Sequence, residues 1–491
     1  MLRPWQLSLA LTRGRKPVSQ QIVHAVIEDV RRGRLTPGFP LPGSRELGEA
    51  LGINRKTVME AYAELEAQGW VSTESRRGTF VAENLPQMES VIETKRPRVS
   101  SIPAAPFFKL PRPEVTLSAD LAPSKSLSFN DGAPDIRHVP IEVVARAYRN
   151  GLRSTLQLRR LGYGDPRGSE GLRSALAAML TTDRGLAAKA DNICLTRGSQ
   201  MGIFLAAQTL VTPGDTVVVE TLSYPPAREA FRRVGAEIAT VSVDANGISV
   251  EDLERVCRRK RVRAVYVTPH HHFPTTVCMT PERRMRLILL AAQFGFAIVE
   301  DDYDHEFHFS HQPMLPLASS DTAGHVIYIG SLSKLLSPSL RLGYVCAPKS
   351  FIDRIAGEVM MIDRQGDSAM EAAMTELIEA GEIQRHTRKM RRLYSERRTT
   401  FADELKTALR SRGSFNIPEG GLAFWVRFEG IDLKRLAARC RDKQLYIQLP
   451  DSFSSTGQPI NALRLGFASL DVKELRTATG RLGAALAEIR R

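Results

Sequence analysis

Four side chains in the middle of the chain have the chemistry needed to hold an aldehyde cofactor. Lys334 carries an amine, Asp301 a carboxylate and Tyr303 a phenol, and the guanidinium of Arg341 follows. An amine condenses with an aldehyde, and a carboxylate beside a pyridine nitrogen keeps that nitrogen protonated, which makes the ring an electron sink. Guanidinium groups bind phosphate through paired hydrogen bonds. The set predicts a pyridoxal phosphate site in which Tyr303 bonds the ring 3-oxygen.

Six neighbouring residues add donors for the phosphate and a face for the ring. They are Ser331, Ser333, Gly198, Ser199, Gln200 and Tyr224. The two serines offer hydroxyls, the Gly-Ser-Gln segment opens an apolar helix whose first N–H groups bind phosphate, and the tyrosine can stack on the ring. Taken singly, a lysine is also an ordinary surface charge, an aspartate after a strand a helix cap, and a tyrosine a core residue.

These residues follow short apolar runs that alternate with helical stretches. The runs are 216–220, 264–268, 296–300 and 326–330. Nearly continuous apolar strands between helices predict a mainly parallel sheet that is covered on both faces. Ligands bind such sheets beyond the carboxyl ends of the strands, and Asp301 and Ser331 each come directly after a run. The fold predicted for this part of the chain is α/β.

The first 83 residues have a different pattern. Apolar residues recur at helical spacing from Val18 to Arg32, which predicts one amphipathic helix. Ser44 is predicted to cap a short second helix that Gly52 ends, and Asn54 is predicted to cap a third. Residues 70–73 and 79–81 can then pair as a hairpin.

Basic residues occupy two exposed points of this segment. Arg55 and Lys56, with Thr57, stand at the N-terminus of the third helix, which is the end at which a recognition helix reads base edges. Arg76 and Arg77 lie with Gly78 at the hairpin tip and form a basic wing. A plain three-helix bundle with a solvated charged face would show the same helix periodicity.

The ordered motifs of this segment resemble the GntR-type winged helix-turn-helix. They are the runs 41–47 (LPGSREL), 54–58 (NRKTV), 61–62, 69–71 and 77–81 (RGTFV). The resemblance implies binding to duplex DNA, in which phosphate contacts supply most of the affinity and base contacts select the operator. The residues that it implies at the DNA are Arg45, Arg55, Lys56 and Thr57 in and beside the major groove, and Arg77 and Gly78 at the backbone or minor groove.

Composition sets the outer limits of these predictions. The chain has 491 residues, 43% of them hydrophobic, which suffices for about two to four globular domains. Its net charge of +14 favours an anionic partner, although surplus arginine is also common on ordinary surfaces. Five scattered cysteines argue against a disulfide framework and a structural zinc site, so a cytoplasmic location is expected. Neither a secretion signal nor a membrane-spanning run is expected.

The composition of residues 84–124 predicts a linker. It would connect a DNA-binding domain at 1–83 to a second domain at 125–491. Prolines alternate there with lysines and arginines, and little periodicity remains, as in a semi-extended spacer. The basic residues either attract DNA nonspecifically or only keep the linker solvated.

From residue 125 onward the motifs resemble those of fold-type I aminotransferases. They are 163–168 (YGDPRG), 198–200 (GSQ), 224–226 (YPP), 301–303 (DDY), 331–334 (SLSK), 341–344 (RLGY) and 461–467 (NALRLGF). With the GntR-like segment in front, the whole chain resembles the MocR/GabR family of bacterial transcriptional regulators. The resemblance implies an imine between Lys334 and pyridoxal phosphate, a smaller C-terminal α+β subdomain and a homodimer.

The resemblance also implies roles that spacing alone does not. Arg464 matches the position that clamps the carboxylate of a substrate or effector. Tyr163 matches a residue that reaches the phosphate of the neighbouring subunit, so the sites would lie at the dimer interface. The family dimer is often head to tail, with each DNA-binding domain over its partner.

Two segments depart from the family pattern. Residues 268–276 read TPHHHFPTT where the family usually has PSHQFPTG, and Ala423 stands where the family often has a histidine. Three consecutive histidines suggest metal ligands, but alternating backbone directions would not bring them together, so no metal site is expected. The departures leave room for an effector that differs from those of better-known members.

The predicted function is a pyridoxal phosphate-dependent, DNA-binding transcriptional regulator that senses the cofactor, an amino compound, or both. A working aminotransferase with an accessory DNA-binding domain is the alternative, because Lys334 could transfer protons as a general base. In a third reading the cofactor itself is the signal, and Arg464 then has no carboxylate to hold. The effector, the operator and the sign of regulation stay open.

Overall fold

The computed structural model describes residues 17–75, 77–86, 108–109, 126–157, 162–309 and 314–489. The chain divides into two compact units, Met1–Arg112 and Pro113–Arg491. Most of the predicted linker lies outside the described residues, and so does Arg76 of the predicted wing. Among the described helices, none is long and apolar enough to cross a membrane.

The first unit is a three-helix domain with a two-stranded hairpin. Its elements are α1 (Val18–Arg31), α2 (Ser44–Leu51), α3 (Arg55–Ala67), β1 (Val71–Glu74) and β2 (Gly78–Val81). The apolar stripes predicted for the helices meet in one core, which includes Ile22, Val26, Val58, Leu65 and Trp70. This arrangement is a winged helix-turn-helix.

The helix caps of this unit follow the prediction at one position and not at another. Asn54 caps α3, since its side-chain Oδ1 accepts the N–H of Lys56 at 2.8 Å. Ser44 was expected to cap α2, and this is wrong. Gly43 takes the extended cap position and Ser44 is the first helical residue, whose hydroxyl accepts a hydrogen bond of 3.2 Å from Arg55 Nε. The serine therefore connects α2 to α3.

The second unit contains a seven-stranded sheet and a smaller antiparallel sheet. Its strands are β3 (Leu127–Phe129), β4 (Ile193–Thr196), β5 (Thr216–Glu220), β6 (Glu237–Val241), β7 (Val243–Asp244), β8 (Gly247–Ile248), β9 (Val262–Val267), β10 (Ala297–Asp302), β11 (Val326–Ser331), β12 (Gly343–Cys346), β13 (Gly413–Phe415), β14 (Ala423–Phe428), β15 (Leu445–Ile447) and β16 (Ala462–Gly466). Its helices are α4 (Ile141–Gln157), α5 (Glu170–Arg184), α6 (Ser199–Leu210), α7 (Pro225–Arg233), α8 (Val250–Arg259), α9 (Pro281–Phe294), α10 (Lys349–Ile362), α11 (Ser368–Glu379), α12 (Glu382–Leu409), α13 (Leu433–Asp442) and α14 (Val472–Ala487).

The large sheet has the strand order β4-β12-β11-β10-β9-β5-β6. All neighbours are parallel except that β12 runs antiparallel to β4 and to β11. The mainly parallel sheet is confirmed. The strand predicted over 296–300 extends further, because Asp301 and Asp302 pair with Ile329 and Gly330 of β11. Both carboxylates therefore lie on β10 itself.

Strand residues of the large sheet alternate between two apolar layers. On β5, Val217 and Val219 pack with residues of α6, α7 and α10, whereas Val218 packs with residues of α8 and α9. Helices thus cover both faces, as the continuous apolar runs predicted. By the same alternation, Asp301 lies on the face of Val299 and Asp302 on the face of Ile298.

The smaller C-terminal part is α+β. Its antiparallel sheet has the order β13-β14-β16, and α12 and α14 pack in the same core. Phe401 of α12, Phe424 of β14, Leu465 of β16 and Leu482 of α14 belong to that core. This part holds Arg464 on β16 and so contributes to the site described next.

Candidate functional site

A buried carboxylate on β10 lies at the centre of the site. Asp301 is 4% exposed, and its Oδ2 accepts a hydrogen bond of 2.7 Å from the hydroxyl of Tyr266 on β9. Its Oδ1 is buried and has no hydrogen-bond partner among the described residues. Burial is the main cause that raises the pKa of Asp301 to about 7, and the Tyr266 bond opposes it. A cationic N–H at Oδ1 would satisfy the free atom and favour the ionised carboxylate.

A cavity of about 90 Å³ adjoins this carboxylate. It is lined by Asp131, Ser199, Tyr224, Tyr266, Thr268, Phe273, Asp301, Tyr303 and Lys334. Five predicted cofactor residues therefore meet in one place, although they come from distant parts of the chain. The Lys334 amine donates a hydrogen bond of 2.8 Å to the carbonyl oxygen of Gly132 at this cavity. The predicted nucleophile, Lys334, and the predicted partner of the ring nitrogen, Asp301, therefore line the same cavity.

Tyr303 and Arg464 form one hydrogen-bonded pair. The Tyr303 hydroxyl donates to the carbonyl of His271 at 2.9 Å and accepts from Arg464 Nη2 at 3.2 Å. Arg464 is 2% exposed and also donates to the carbonyls of Asp131 and Pro274, at 2.8 Å each. Burial raises the pKa of Tyr303 well above its ordinary value, so its phenol keeps its proton. A neutral phenol is a hydrogen-bond donor for an anionic oxygen.

Two glycines and an arginine form a close-packed cradle at the start of α6. Gly198 has φ of 80° in the cap position, and a Cβ there would lie 3.0 Å from the Arg341 guanidinium. A Cβ on Gly343 would lie 2.6 Å from the carbonyl carbon of Gly198. Arg341 donates to the Arg197 carbonyl at 2.7 Å. The cradle brings a guanidinium to the free N–H groups of a helix N-terminus, which together bind phosphate.

The two predicted serines directly precede the lysine on the chain. Ser331 ends β11, and its hydroxyl accepts the N–H of Ser333 at 3.2 Å. The hydroxyl of Ser333 is buried without a hydrogen-bond partner among the described residues. This hydroxyl can therefore donate a hydrogen bond to an anionic oxygen.

Two predicted members lie elsewhere. Gln200 on α6 donates to the carbonyl of Pro226 at 3.3 Å and does not line the Lys334 cavity. Tyr163 is 82% exposed, borders a separate cavity of about 480 Å³, and has the Arg364 guanidinium 4.8 Å from its ring centre. Within one chain Tyr163 therefore does not reach the lysine.

Several residues of the cavity were not found by sequence reasoning. Tyr266 stands inside the apolar run 264–268, where the pattern predicts only a core residue, and Phe273 follows the three histidines of its loop. Asp131 and Gly132 sit in a loop that Asn130 fixes by accepting the N–H groups of Gly132 and Ala133, at 2.9 and 2.7 Å. The Asn-Asp-Gly run predicts a turn, but a predicted turn does not by itself indicate a binding or catalytic role.

The three consecutive histidines contact three different side chains. His271 Nδ1 lies 2.7 Å from Asp304, and His272 Nε2 lies 3.0 Å from Glu220. The His270 ring packs against the ring of His305, at 4.6 Å between centres. The three imidazoles therefore lie in different environments and make different contacts.

The predicted DNA-contacting residues lie on the surface of the first unit. Arg45, Arg55, Lys56, Arg77 and Gly78 are exposed, and Thr57 is half-buried. The bond between Arg55 and Ser44 holds the start of α3 against α2. Arg77 at the wing forms an ion pair of 2.6 Å with Glu74. The basic side chains are thus available to a polyanion at the N-terminal end of α3 and at the hairpin tip.

The comparisons with known proteins agree with this geometry. Residues 125–482 match the family described as "Aminotransferase class I and II", and residues 18–81 match "Bacterial regulatory proteins, gntR family". The probable rhizopine catabolism regulatory protein MocR of Rhizobium meliloti is 28% identical over 96% of this chain and 94% of its own length. The HTH-type transcriptional regulator TauR of Rhodobacter capsulatus is 28% identical over 96% and 97%.

Among solved structures, the multiple substrate aminotransferase of Thermococcus profundus superposes with a TM-score of 0.70 at 28% identity. It covers 74% of this chain and 92% of its own chain. Such aminotransferase neighbours imply pyridoxal phosphate as the cofactor, and the free Oδ1 of Asp301, the amine in the cavity and the glycine cradle fit it. The chain belongs to the aminotransferase class I and II family, carries a GntR-type helix-turn-helix domain before it, and resembles MocR-type regulators over its full length.

Proposed function

We propose that this protein is a transcriptional regulator whose aminotransferase-like unit controls DNA binding through pyridoxal phosphate, alone or with an amino compound. The observation that carries the proposal is that one chain holds both a basic recognition helix and a cavity that unites Lys334 with Asp301. Full-length relatives named as a probable regulatory protein and as an HTH-type transcriptional regulator support it. A ligand changes DNA binding only if it binds the competent and incompetent states with different affinity.

Each residue has a task in this proposal. The cofactor supplies an aldehyde and an electron-withdrawing ring. Lys334 would provide the amine that holds it, Asp301 would hold a proton at the ring nitrogen, and the Tyr303 hydroxyl would turn from the His271 carbonyl to donate to the 3-oxygen. The cradle of Gly198 and Arg341 would bind the phosphate, and Tyr224 would supply an aromatic face for the ring. Water is restricted because Asp301 and Arg464 are almost completely buried.

Arg464 is the proposed anchor for an effector carboxylate. Its guanidinium carries five N–H groups, and three of its nitrogens already donate to Asp131, Pro274 and Tyr303. The buried charge has no carboxylate partner within ion-pair distance among the described residues. A carboxylate ligand would supply that partner. The proposed effector carries both an amine and an acidic group, since Lys334 lines the cavity and Arg464 bonds to Tyr303 of its wall.

The proposal is tested by titrating the full-length protein against promoter fragments, with and without pyridoxal phosphate. We expect a specific shift whose affinity or pattern changes with the cofactor. The Lys334→Ala variant should shift the same DNA but lose the response to the cofactor. No specific shift under any condition would refute the proposal.

The competing function is a working aminotransferase. The full set of cavity residues and the likeness to the Thermococcus profundus enzyme favour it. Steady-state assays with pairs of amino acids and keto acids separate the two. Repeated turnover at ordinary enzyme rates, about 1 s⁻¹ or faster, would favour catalysis, and its absence with retained cofactor binding would favour sensing.

We further propose a homodimer in which Tyr163 completes the site of its partner. The support is the exposure of Tyr163 outside its own cavity, together with the family resemblance. Mixing a Tyr163→Ala chain with a Lys334→Ala chain tests it, since the mixed dimer would contain one complete site. Recovery of cofactor affinity in the mixture supports the shared site. Equal weakness in the mixture and in the Tyr163→Ala protein contradicts it.

A further inference from the structure

A second buried cluster lies on β10, on the face opposite to the Lys334 cavity. Asp302 follows Asp301 on the strand, so their side chains leave opposite faces of the sheet. Asp302, His270 and His305 are 2%, 3% and 5% exposed. Each offers one ligand atom, and these atoms all lie within 4.8 Å of one another. The cofactor site uses none of these three side chains.

Three polar atoms of this cluster are buried without a hydrogen-bond partner among the described residues. They are His270 Nδ1, His305 Nδ1 and Asp302 Oδ1. His305 Nδ1 lies 2.9 Å from Asp302 Oδ2, within ion-pair distance. Almost all buried polar atoms in folded proteins have a partner, so the free His270 Nδ1 and Asp302 Oδ1 in one cluster call for a ligand. Imidazole nitrogens and a carboxylate oxygen are donor atoms for transition metals.

We propose that His270, Asp302 and His305 bind one divalent transition metal ion of the Zn²⁺ class. Three protein ligands leave a further position for water. His305 also borders a cavity of about 350 Å³, which gives an ion a route and a water molecule room. The hydroxyl of Tyr328 donates to Asp302 Oδ2 at 2.7 Å and orients the carboxylate. Zn–N distances of about 2.0–2.1 Å require the imidazoles to turn inward by about an ångström.

This site differs from the one that the sequence suggested and set aside. The run of three histidines does not form it, because His271 and His272 pair with other groups. Only His270 takes part, and the remaining ligands come from the end of β10 and the turn that follows. Such a set becomes visible only when the two segments are brought together in the fold.

The test uses the full-length protein loaded with pyridoxal phosphate, stripped of metal with a chelator and titrated with Zn²⁺ or Co²⁺. We expect one equivalent of either ion per chain by elemental analysis, and visible absorption bands of four- or five-coordinate Co²⁺. Absence of saturable binding to the unmodified protein would overturn the proposal, whatever the variants do.

Single variants then locate the ion. His270→Ala, His305→Ala and Asp302→Asn should each weaken metal binding by at least about a hundredfold, because loss of a ligand costs more than loss of an outer partner. His308→Ala is the matched control, since it borders the same cavity as His305 but is outside the cluster. Circular dichroism and the cofactor absorbance show which variants are folded. Unchanged metal affinity in any folded cluster variant would place the ion elsewhere and overturn the assignment.

Discussion

The hydroxyl of Tyr266 lies 2.7 Å from Asp301 Oδ2, and this bond leaves the other oxygen of the same carboxylate free in a buried site. Two neighbouring strands thus fix a carboxylate so that one oxygen remains for a ligand.

Removing that bond should weaken cofactor binding. Tyr266→Phe leaves the ionised Asp301 with one donor fewer, and we expect about tenfold lower affinity for pyridoxal phosphate. Titration followed by the cofactor absorbance measures it. Tyr328→Phe is the matched control, because Tyr328 bonds Asp302 on the opposite face. A similar loss in both variants would mean that the effect comes from sheet packing instead.

The raised pKa of Asp301 predicts a pH effect on stability. Its pKa is 3.8 in an ordinary setting and about 7 in the folded chain, so the folded state holds the proton more tightly than the unfolded state. The contribution of this group to stability is therefore present below pH 3.8 and declines as pH rises from about 4 to about 7. Asp301→Asn cannot ionise and should lack this decline.

The comparison is made on cofactor-free, metal-free protein. The advantage of Asp301→Asn in the free energy of unfolding should grow between pH 4 and pH 7 to about 2–4 kcal/mol, then stay constant. Denaturant unfolding at several pH values measures it. A difference that is flat with pH would show that Asp301 titrates normally.

Lys334 should form a covalent link that gives the protein an absorption band at about 420 nm, typical of an imine of this cofactor. Lys334→Ala should lose the band. Lys349→Ala is the control, because that lysine is exposed and pairs with Asp353 at 2.7 Å. A colourless protein that does not respond to added pyridoxal phosphate would contradict the proposal that the protein senses this cofactor.

The glycine cradle can be tested by a matched pair. Gly198→Ala and Gly214→Ala both place a side chain at positive φ, 80° and 91°, and so carry similar backbone strain of about 1 kcal/mol. Only the methyl at Gly198 meets the Arg341 guanidinium, whereas that at Gly214 meets open space. Gly198→Ala should lower cofactor affinity and Gly214→Ala should not. Equal cofactor affinity in the two variants would show that the cradle does not contribute to cofactor binding.

The recognition helix should govern DNA binding. Arg55→Ala and Lys56→Ala should each weaken binding and, where a phosphate contact is lost, reduce the slope of log affinity against log salt by about 1. Arg32→Ala is the control, since Arg32 is exposed at the end of α1 and paired with Glu28. Gel-shift titrations over a series of salt concentrations measure the slopes. An equal effect of Arg32→Ala would indicate nonspecific attraction by the whole domain.

Local sequence signals predicted the parts of the site that follow strands and open helices. Lys334, Asp301 and Gly198 stand next to such boundaries, where the carboxyl ends of parallel strands bring residues together. Tyr266 could not be predicted, because a tyrosine inside an apolar strand has the pattern of a core residue. Gly132 contacts the lysine across 202 residues of sequence, a pairing that only tertiary structure creates.

The small errors have a similar cause. Serine is a common N-cap residue, but Gly43 has the extended conformation and is the N-cap of α2, so Ser44 is the first residue of the helix. The apolar pattern predicts a strand that ends at residue 300, before Asp301 and Asp302, because consecutive charged residues rarely continue a buried strand. Here the bonds to β11 and the hydroxyls of Tyr266 and Tyr328 accommodate them.

The reversed strand β12 has a consequence for when the chain becomes able to bind its cofactor. It lies between β4 and β11, and it brings Gly343 against Gly198 while Arg341 bonds a carbonyl 144 residues earlier. A partly folded chain that lacks this strand has no anchor for the phosphate. Pyridoxal phosphate should therefore bind only the completely folded sheet and stabilise it. The supply of this cofactor would then also influence the lifetime of the protein.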